Sequence, residues 1–199
     1  MVRLNYTLSI STIFCNQKIK IKAIFLISVL MTFGCSTKKH KIYDTLSAFY
    51  QEVIVFPKEI LCYNEGILKS NSFQKTFLPK LVYYIDPTEC SQCIITHLSD
   101  LSTIFEYADS SEAFDVIVLL SPSENQLPEV IEYLKLFPIN RDVYIDYLGL
   151  FARNNPNIPK EPLFHCFLLD QDSHPVFVGN PLGGEKIKEL FMQSLHDLK

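Results

Sequence analysis

Basic charge is scarce in this 199-residue chain: 18 Lys and Arg stand against 22 Asp and Glu, a formal net charge of -4 and a pI near 5.7. A protein that tracks nucleic-acid phosphates needs the opposite balance, so nucleic acid is not an expected partner. Glycine (6) and proline (11) are few and scattered, which excludes collagen-like and low-complexity classes. The sequence holds no glycine-rich phosphate loop, no Gly-x-Ser-x-Gly elbow and no internal repeat. It also lacks any uncharged run approaching the roughly 20 apolar residues that span a bilayer. What it has is a composition of 48% hydrophobic and 20% charged residues, enough for a packed core, and a length suited to one domain plus a targeting segment.

Residues 1–34 hold four basic residues (Arg3, Lys18, Lys20, Lys22) and no acidic one, leaving 14 basic against 22 acidic residues in the remainder. The basic stretch precedes an uncharged run from Ala23 to Gly34 that ends at Cys35. This order fits a secretory h-region, and Gly34-Cys35 resembles the lipobox of bacterial lipoproteins, with Thr32 where Leu is usual. The competing reading is a buried N-terminal helix. The expected division is a signal peptide over 1–34, a lipidated Cys35 with a polar tether over 35–45, and a domain over 46–199. An envelope location, lipid-anchored and facing the periplasm, follows from that reading, in a compartment where disulfides persist.

Outside the leader and anchor lie Cys62, Cys90, Cys93 and Cys166. Two structural disulfides would use all four, but a domain of this size builds its own core without them. Spacing says more than number. Leu81 to Ile85 reads as a buried strand closed by Asp86-Pro87, and Cys90-Ser91-Gln92-Cys93 follows. Ile94, Leu98, Leu101, Phe105 and Ala108 then recur at steps of three and four, the period of an amphipathic helix of about four turns. A second strand is expected over Phe114 to Leu120. A helix follows with Leu127, Val130, Ile131, Leu134 and Phe137 on one face, then a strand over Asp142 to Asp146 and a short helix over Tyr147 to Arg153. Phe164 to Leu169 and Val176 to Val178 flank the turn residues Asp170 to Ser173. Ile187, Leu190, Phe191, Leu195 and Leu198 mark a last helix, and a helix near Leu46 to Val53 with a strand extension precedes all of these. The order predicts an α/β sandwich with a mixed sheet.

Strand, CxxC at a helix start, late hairpin and closing helix together resemble the thioredoxin fold. The strand and helix from Asp142 to Arg153 are similar to the insertion of the TlpA-like branch of extracytoplasmic thiol-disulfide oxidoreductases. Phe167-Leu168-Leu169-Asp170 and Pro175-Val176-Phe177-Val178-Gly179 are similar to that branch's final hairpin. The resemblance covers about residues 78–199. It implies a thioredoxin-like three-layer sandwich with a mixed sheet and a TlpA-type strand-helix insertion, acting on protein thiols or disulfides without a cofactor and drawing electrons from a membrane donor. Two departures bear on chemistry. Positions that hold Trp in many members are Glu89 and Asp86 here, and Phe164 stands where the family has a cis-proline, with Pro162 nearby. His165 and Cys166 fall next to that loop and are candidates for a substrate-facing role, beside the plainer reading that each is an ordinary strand residue.

The CxxC has a physical rationale of its own. Unpaired N–H groups and the positive dipole end of a helix N-terminus stabilise a thiolate, the nucleophile of disulfide exchange. Cys90 is therefore the candidate nucleophile and Cys93, one turn on, the resolving thiol. Glu89 opposes the Cys90 thiolate by like charge; Asp86 either does the same or accepts a proton from Cys93. Both carboxylates read equally as solvated loop residues. Zinc is the main rival use of the thiols, with Cys90, Cys93 and His97 as ligands and Cys62, His165 or Cys166 as the fourth, although a single CxxC is a weak zinc signature. A structural Cys90–Cys93 bridge has little rationale, because so short a loop removes little unfolded-state entropy. Cys62 reads as a small buried hydrophobe. The leading functional expectation is a membrane-anchored thiol-disulfide oxidoreductase, a reductant or isomerase rather than an oxidant. The alternative is a non-catalytic lipoprotein that uses the same scaffold to hold a partner or metal. Anchoring is testable directly: a palmitate analogue should label the wild-type chain in cells and leave Cys35→Ala unlabelled.

Overall fold

The computed structural model describes residues 39–73, 76–88 and 98–198. The chain divides into two compact units, 1–45 and 46–199. Residues 39–49 form a helix, α1, so the helix expected over 46–53 starts and ends earlier, and residues read as tether are helical from 39 onward. Among the described residues no helix is long and apolar enough to cross a membrane.

The second unit is built on one seven-stranded sheet. Its strands in chain order are β1 (Glu59–Asn64), β2 (Ile67–Ser72), β3 (Lys80–Ile85), β4 (Asp115–Leu120), β5 (Val143–Ile145), β6 (Cys166–Leu169) and β7 (Pro175–Val178). In space the order is β2-β1-β5-β4-β3-β6-β7. β3, β4 and β5 are parallel; β6 runs antiparallel to β3, β7 to β6, and β1 to both β5 and β2. The helices are α2 (Ser102–Ser111), α3 (Leu127–Leu136), α4 (Leu150–Asn154) and α5 (Glu185–Asp197).

Layering follows from strand alternation and crossover handedness. The connections β3-α2-β4 and β4-α3-β5 step the same way across the sheet, so two right-handed crossovers place α2 and α3 on one face. Leu81, Tyr83 and Ile85 of β3 accordingly share a core with Ile104 of α2, Val130 and Leu134 of α3 and Phe191 and Leu195 of α5. Val82 and Tyr84 point the other way and join Phe49, Ile54, Phe151 and Phe167. Phe167, wholly buried, meets the edge of Phe49 at 5.2 Å between centroids. Burial of such a side chain contributes roughly 1.5–3 kcal/mol. Three layers with a mixed sheet, a central β3 and a closing β6-β7-α5 unit make this a thioredoxin-like fold, and β5 with α4 is its strand-helix insertion.

Local chemistry sets the connections. Glu65 (φ 48°) and Gly66 (φ 82°) both lie in the left-handed region, the geometry of a two-residue hairpin between β1 and β2. The buried Asp146 carboxylate accepts from the backbone N–H groups of Leu150 (3.0 Å) and Phe151 (2.7 Å), which fixes the start of α4 immediately after β5. The buried Asn155 then accepts from Val55 N (2.8 Å) and donates through Nδ2 to Val55 O (2.9 Å) and Phe151 O (2.8 Å), stitching the insertion to the segment before β1.

Several expected boundaries shift. Leu98–Leu101 is a 3-10 turn ahead of α2 rather than a continuous α-helix, and residues 89–97, which include the CxxC, lie outside the described residues. The strand expected from Phe164 begins at Cys166, because Pro162–Phe164 forms a 3-10 turn. Phe137 and Leu190, placed on inward faces by periodicity, are exposed, since Phe137 follows the end of α3 and α5 turns Phe191 and Leu195 to the core instead.

Asn155→Ala removes three hydrogen bonds and leaves the Val55 N–H and C=O without their side-chain partner, while Phe151 O keeps the bond from the Asn155 backbone N–H (3.1 Å). At roughly 0.5–1.5 kcal/mol each, a loss of about 2–4 kcal/mol is expected. In a domain of this size that is roughly 4–15 °C in Tm by calorimetry.

Candidate active site

β3, buried along its whole length, delivers the chain to the C-terminal pole of the sheet. Beyond Ile85 comes the Asp86–Thr88 turn, and the sequence then reaches Cys90. Asp86 is partly exposed, and its Oδ1 accepts from Thr88 N (2.7 Å) and Thr88 Oγ1 (2.6 Å). It thereby closes the turn that leads into the CxxC. Glu89, Cys90, Cys93 and His97 lie outside the described residues, as does Cys35.

The loop expected to face the CxxC is found at this same pole. Pro162 opens the 3-10 turn, with Phe164 N donating to Glu161 O and His165 N to Pro162 O (2.9 and 3.0 Å). Phe164, aligned with the family's proline position, closes that turn, and every peptide bond among the described residues is trans. Tyr84 N donates to His165 O at 2.9 Å, which extends the β3–β6 ladder one step beyond the Tyr83–Cys166 pair. The loop backbone is thus latched to the end of the strand that leads to Cys90.

His165 and Cys166 point to opposite faces, as neighbouring residues at a strand start must. His165 is buried; its ring lies 5.0 Å from that of Tyr84, and its Nε2 carries the proton it donates to Pro159 O at 2.8 Å. Cys166 is buried on the α2 side, beside the Tyr83 hydroxyl. Burial pushes the Cys166 thiol well above its ordinary pKa, a shift that Tyr83's hydrogen bond only partly offsets. The Tyr83 hydroxyl also reaches Asn180 Oδ1 at 3.3 Å. Burial, and secondarily Asp142, raise the pKa of Cys62 as well.

These residues surround a cleft of about 300 Å³. Ile85 and Tyr84 come from β3, Leu98 and Leu101 from the turn before α2, Leu163 and Cys166 from the facing loop, and Asn180 from the β7–α5 connection. Leu163 is 77% exposed, an apolar side chain held out at the cleft's rim. The arrangement suits an uncharged stretch of polypeptide. Of the loop residues singled out from the sequence, Pro162, His165 and Cys166 line the cleft and Phe164 does not, while Leu163, Leu98 and Asn180 were missed as lining. The helix periodicity did flag Leu98; Leu163 and Asn180 carry no local signal.

One considered use of the cysteines, a pair of structural disulfides that takes up all four, is removed. β1 and β6 are separated by β5, β4 and β3, four strand spacings or about 19 Å. Cys62 and Cys166 are both free and far beyond disulfide reach of each other. Among the described residues no group of three His, Cys, Asp or Glu side chains is placed to hold a metal ion.

No family model matches the sequence, and no curated protein matches it. Solved structures do resemble it. An uncharacterized thioredoxin-like protein from Porphyromonas gingivalis is 18% identical, with 74% of this chain and 94% of that chain covered and a TM-score of 0.46. The exposed lipoprotein thioredoxin of Streptococcus pneumoniae is 16% identical over 70% of this chain and 99% of its own, at a TM-score of 0.47. A Chlorobium tepidum protein named thiol:disulfide interchange protein DsbE is 13% identical over 72% and 98%, at 0.49. The fold assignment rests on strand order and direction.

The buried thiols have a pH signature. A thiol whose folded pKa is raised contributes stability in full below its unfolded pKa of about 8.5, and that contribution is lost as pH rises beyond it toward the folded value. Urea unfolding between pH 7 and 9.5 should therefore show stability falling with pH. The slope should be shallower in Cys62→Ala and in Cys166→Ala.

Proposed function

We propose that this chain is a lipid-anchored envelope thiol-disulfide oxidoreductase in which Cys90 is the nucleophile and Cys93 the resolving thiol. The observation that carries the reading is convergence. The strand leading to the CxxC, the Pro162–Cys166 loop and an uncharged cleft meet at one pole of a thioredoxin-like sheet. The competing zinc reading loses support, because His165 Nε2 is spent on Pro159 O and Cys166 is buried beside Tyr83.

In the reductive direction the Cys90 thiolate attacks one sulfur of a substrate disulfide. The substrate S–S bond breaks, a mixed disulfide forms, and the other substrate sulfur leaves as a thiolate that takes a proton. The Cys93 thiolate then attacks Cys90 Sγ, releasing the second substrate thiol and leaving Cys90 and Cys93 oxidised. Two electrons have passed to the substrate, and a membrane-bound dithiol donor restores the pair. Substrate backbone lies along the Phe164–Cys166 edge, and side chains next to its cysteine enter the cleft lined by Leu98, Leu101 and Leu163.

Poise follows from the charges in the sequence. The helix start expected at the CxxC from the sequence favours the Cys90 thiolate, while Glu89 opposes it with no basic residue between the cysteines to compensate. The Cys90 pKa should therefore lie at about 7–8.5, and the potential nearer -270 mV than about -120 mV. Thiolate absorbance titrated in Cys93→Ala tests this, and Glu89→Gln should lower the value. A pKa below about 5 would make the protein an oxidant. Cys93→Ala should also accumulate mixed disulfides through Cys90 in cells. Failure to trap any, together with stoichiometric zinc that His97→Ala abolishes, would establish the metal-binding alternative.

A further inference from the structure

Charge in this chain divides sharply at the start of α1. Residues 36–43 hold Lys38, Lys39 and Lys41 with His40 and no acid, whereas residues 44–199 hold 11 basic and 22 acidic residues. Lys39, His40 and Lys41 occupy the first turn of α1, and every residue from 39 to 44 is exposed. The first turn of a helix carries the positive end of its macrodipole and favours acids, so cations there oppose helix formation. Helix stability therefore does not account for these lysines.

Helical geometry sorts the side chains of this stretch onto separate faces. Lys39, Ile42 and Tyr43 stand at i, i+3 and i+4 and share one face. Ile42 is 43% exposed and Tyr43 69%, so apolar surface lies bare beside a lysine. The acid that follows, Asp44, belongs to another face, where its Oδ2 lies 3.8 Å from His40 Nε2. A face that combines a lysine, an aliphatic chain and a tyrosine, with no carboxylate, complements a surface that is anionic outside and apolar beneath. An anionic phospholipid bilayer has that layering. Its phosphates attract the lysines, the acyl boundary takes Ile42, and tyrosine rings settle at the headgroup level between. Nucleic acid offers the charge without the apolar layer, and the acidic remainder of the chain opposes it. Lys39 follows Cys35 by four residues, at most about 14 Å of extended chain, so an anchor at Cys35 brings the helix start within reach of the headgroups.

We propose that the Lys39–Tyr43 face of α1 lies on an anionic phospholipid surface, as a second contact beside the lipid at Cys35. The inference rests on the anchoring proposed above. An acyl anchor joined to a basic patch holds a chain more firmly than either alone. The sequence has no tryptophan, so Tyr43→Trp in the full chain, purified from cells and reconstituted into vesicles, is a sole reporter. Lipids brominated near the headgroup should quench its emission by about twofold in phosphatidylcholine vesicles that contain phosphatidylglycerol, and weakly in phosphatidylcholine alone. Adding Lys39→Glu and Lys41→Glu should reduce quenching to the level of the neutral vesicles. Acids favour a helix N-terminus, so that loss is not a sign of unfolding in α1. Equal quenching in both vesicles, or quenching that survives the charge reversal, would overturn the proposal. No quenching in either would do the same and leave an acidic protein as the partner of this face. Mass spectrometry of the same sample reads acyl chains on Cys35 separately. An unmodified Cys35 removes the anchoring and this proposal with it, while an acylated chain with an unquenched tryptophan removes this proposal alone.

Discussion

β3 is hydrogen-bonded on both flanks, to β4 in parallel and β6 in antiparallel register, and all six of its residues are buried. A strand so placed cannot shift register without turning Tyr84 into the core of Tyr83 and losing both ladders. The position of everything attached to its ends follows. At one end lies the turn toward Cys90. At the other, the buried Lys80 directs Nζ to the carbonyls of Thr76 (3.1 Å) and Leu78 (3.0 Å), which seats a cation at the strand's entry by tying it to the preceding loop.

This constraint gives the two poles different chemistry. At the C-terminal pole the aliphatic side chains of Ile85, Leu98, Leu101 and Leu163 line the cleft without a charged group. At the N-terminal pole the strands begin in Lys80, Asp115 and, just before β5, Asp142. Polar residues at a strand's first position sit where the aromatic layer ends, so a polar cavity forms without interrupting the core.

The strands and helices were legible because their apolar periods are regular. Leu81 to Ile85, the Asp142–Asp146 segment and Phe191 with Leu195 needed no tertiary information. The misreadings occur where local order yields to the chain's path. Phe164 has the composition of a strand residue, but Pro162 two residues earlier fixes a 3-10 turn through it. Leu190 obeys helical period yet faces solvent, because one helix cannot bury both flanks of its apolar stripe against a single sheet. At the candidate site, His165 and Cys166 were found by proximity to a motif, and their opposite directions followed from alternation alone. Leu163 could not be found that way, since an exposed leucine has no sequence signature. The polar cavity was equally invisible, because it draws on four strands distant in sequence.

The insertion also supports the 162–166 loop from behind. Asp146 sets the start of α4, and α4 presents Phe151, wholly buried, to the Tyr84 ring at 5.0 Å between centroids. Tyr84 in turn meets the His165 ring at 5.0 Å, and His165 reaches Pro159 O through Nε2. A continuous file of packed rings therefore runs from the added helix to the 162–166 loop. The loop's shape comes from three contacts: the Tyr84 N–H to His165 O bond, the ring packing and the Pro159 bond. The first two depend on β3, and the ring packing reaches α4 through Phe151. His165, which a sequence reader counts among metal ligands or substrate contacts, is better understood as the residue through which the core dictates where the backbone of the 162–166 loop lies.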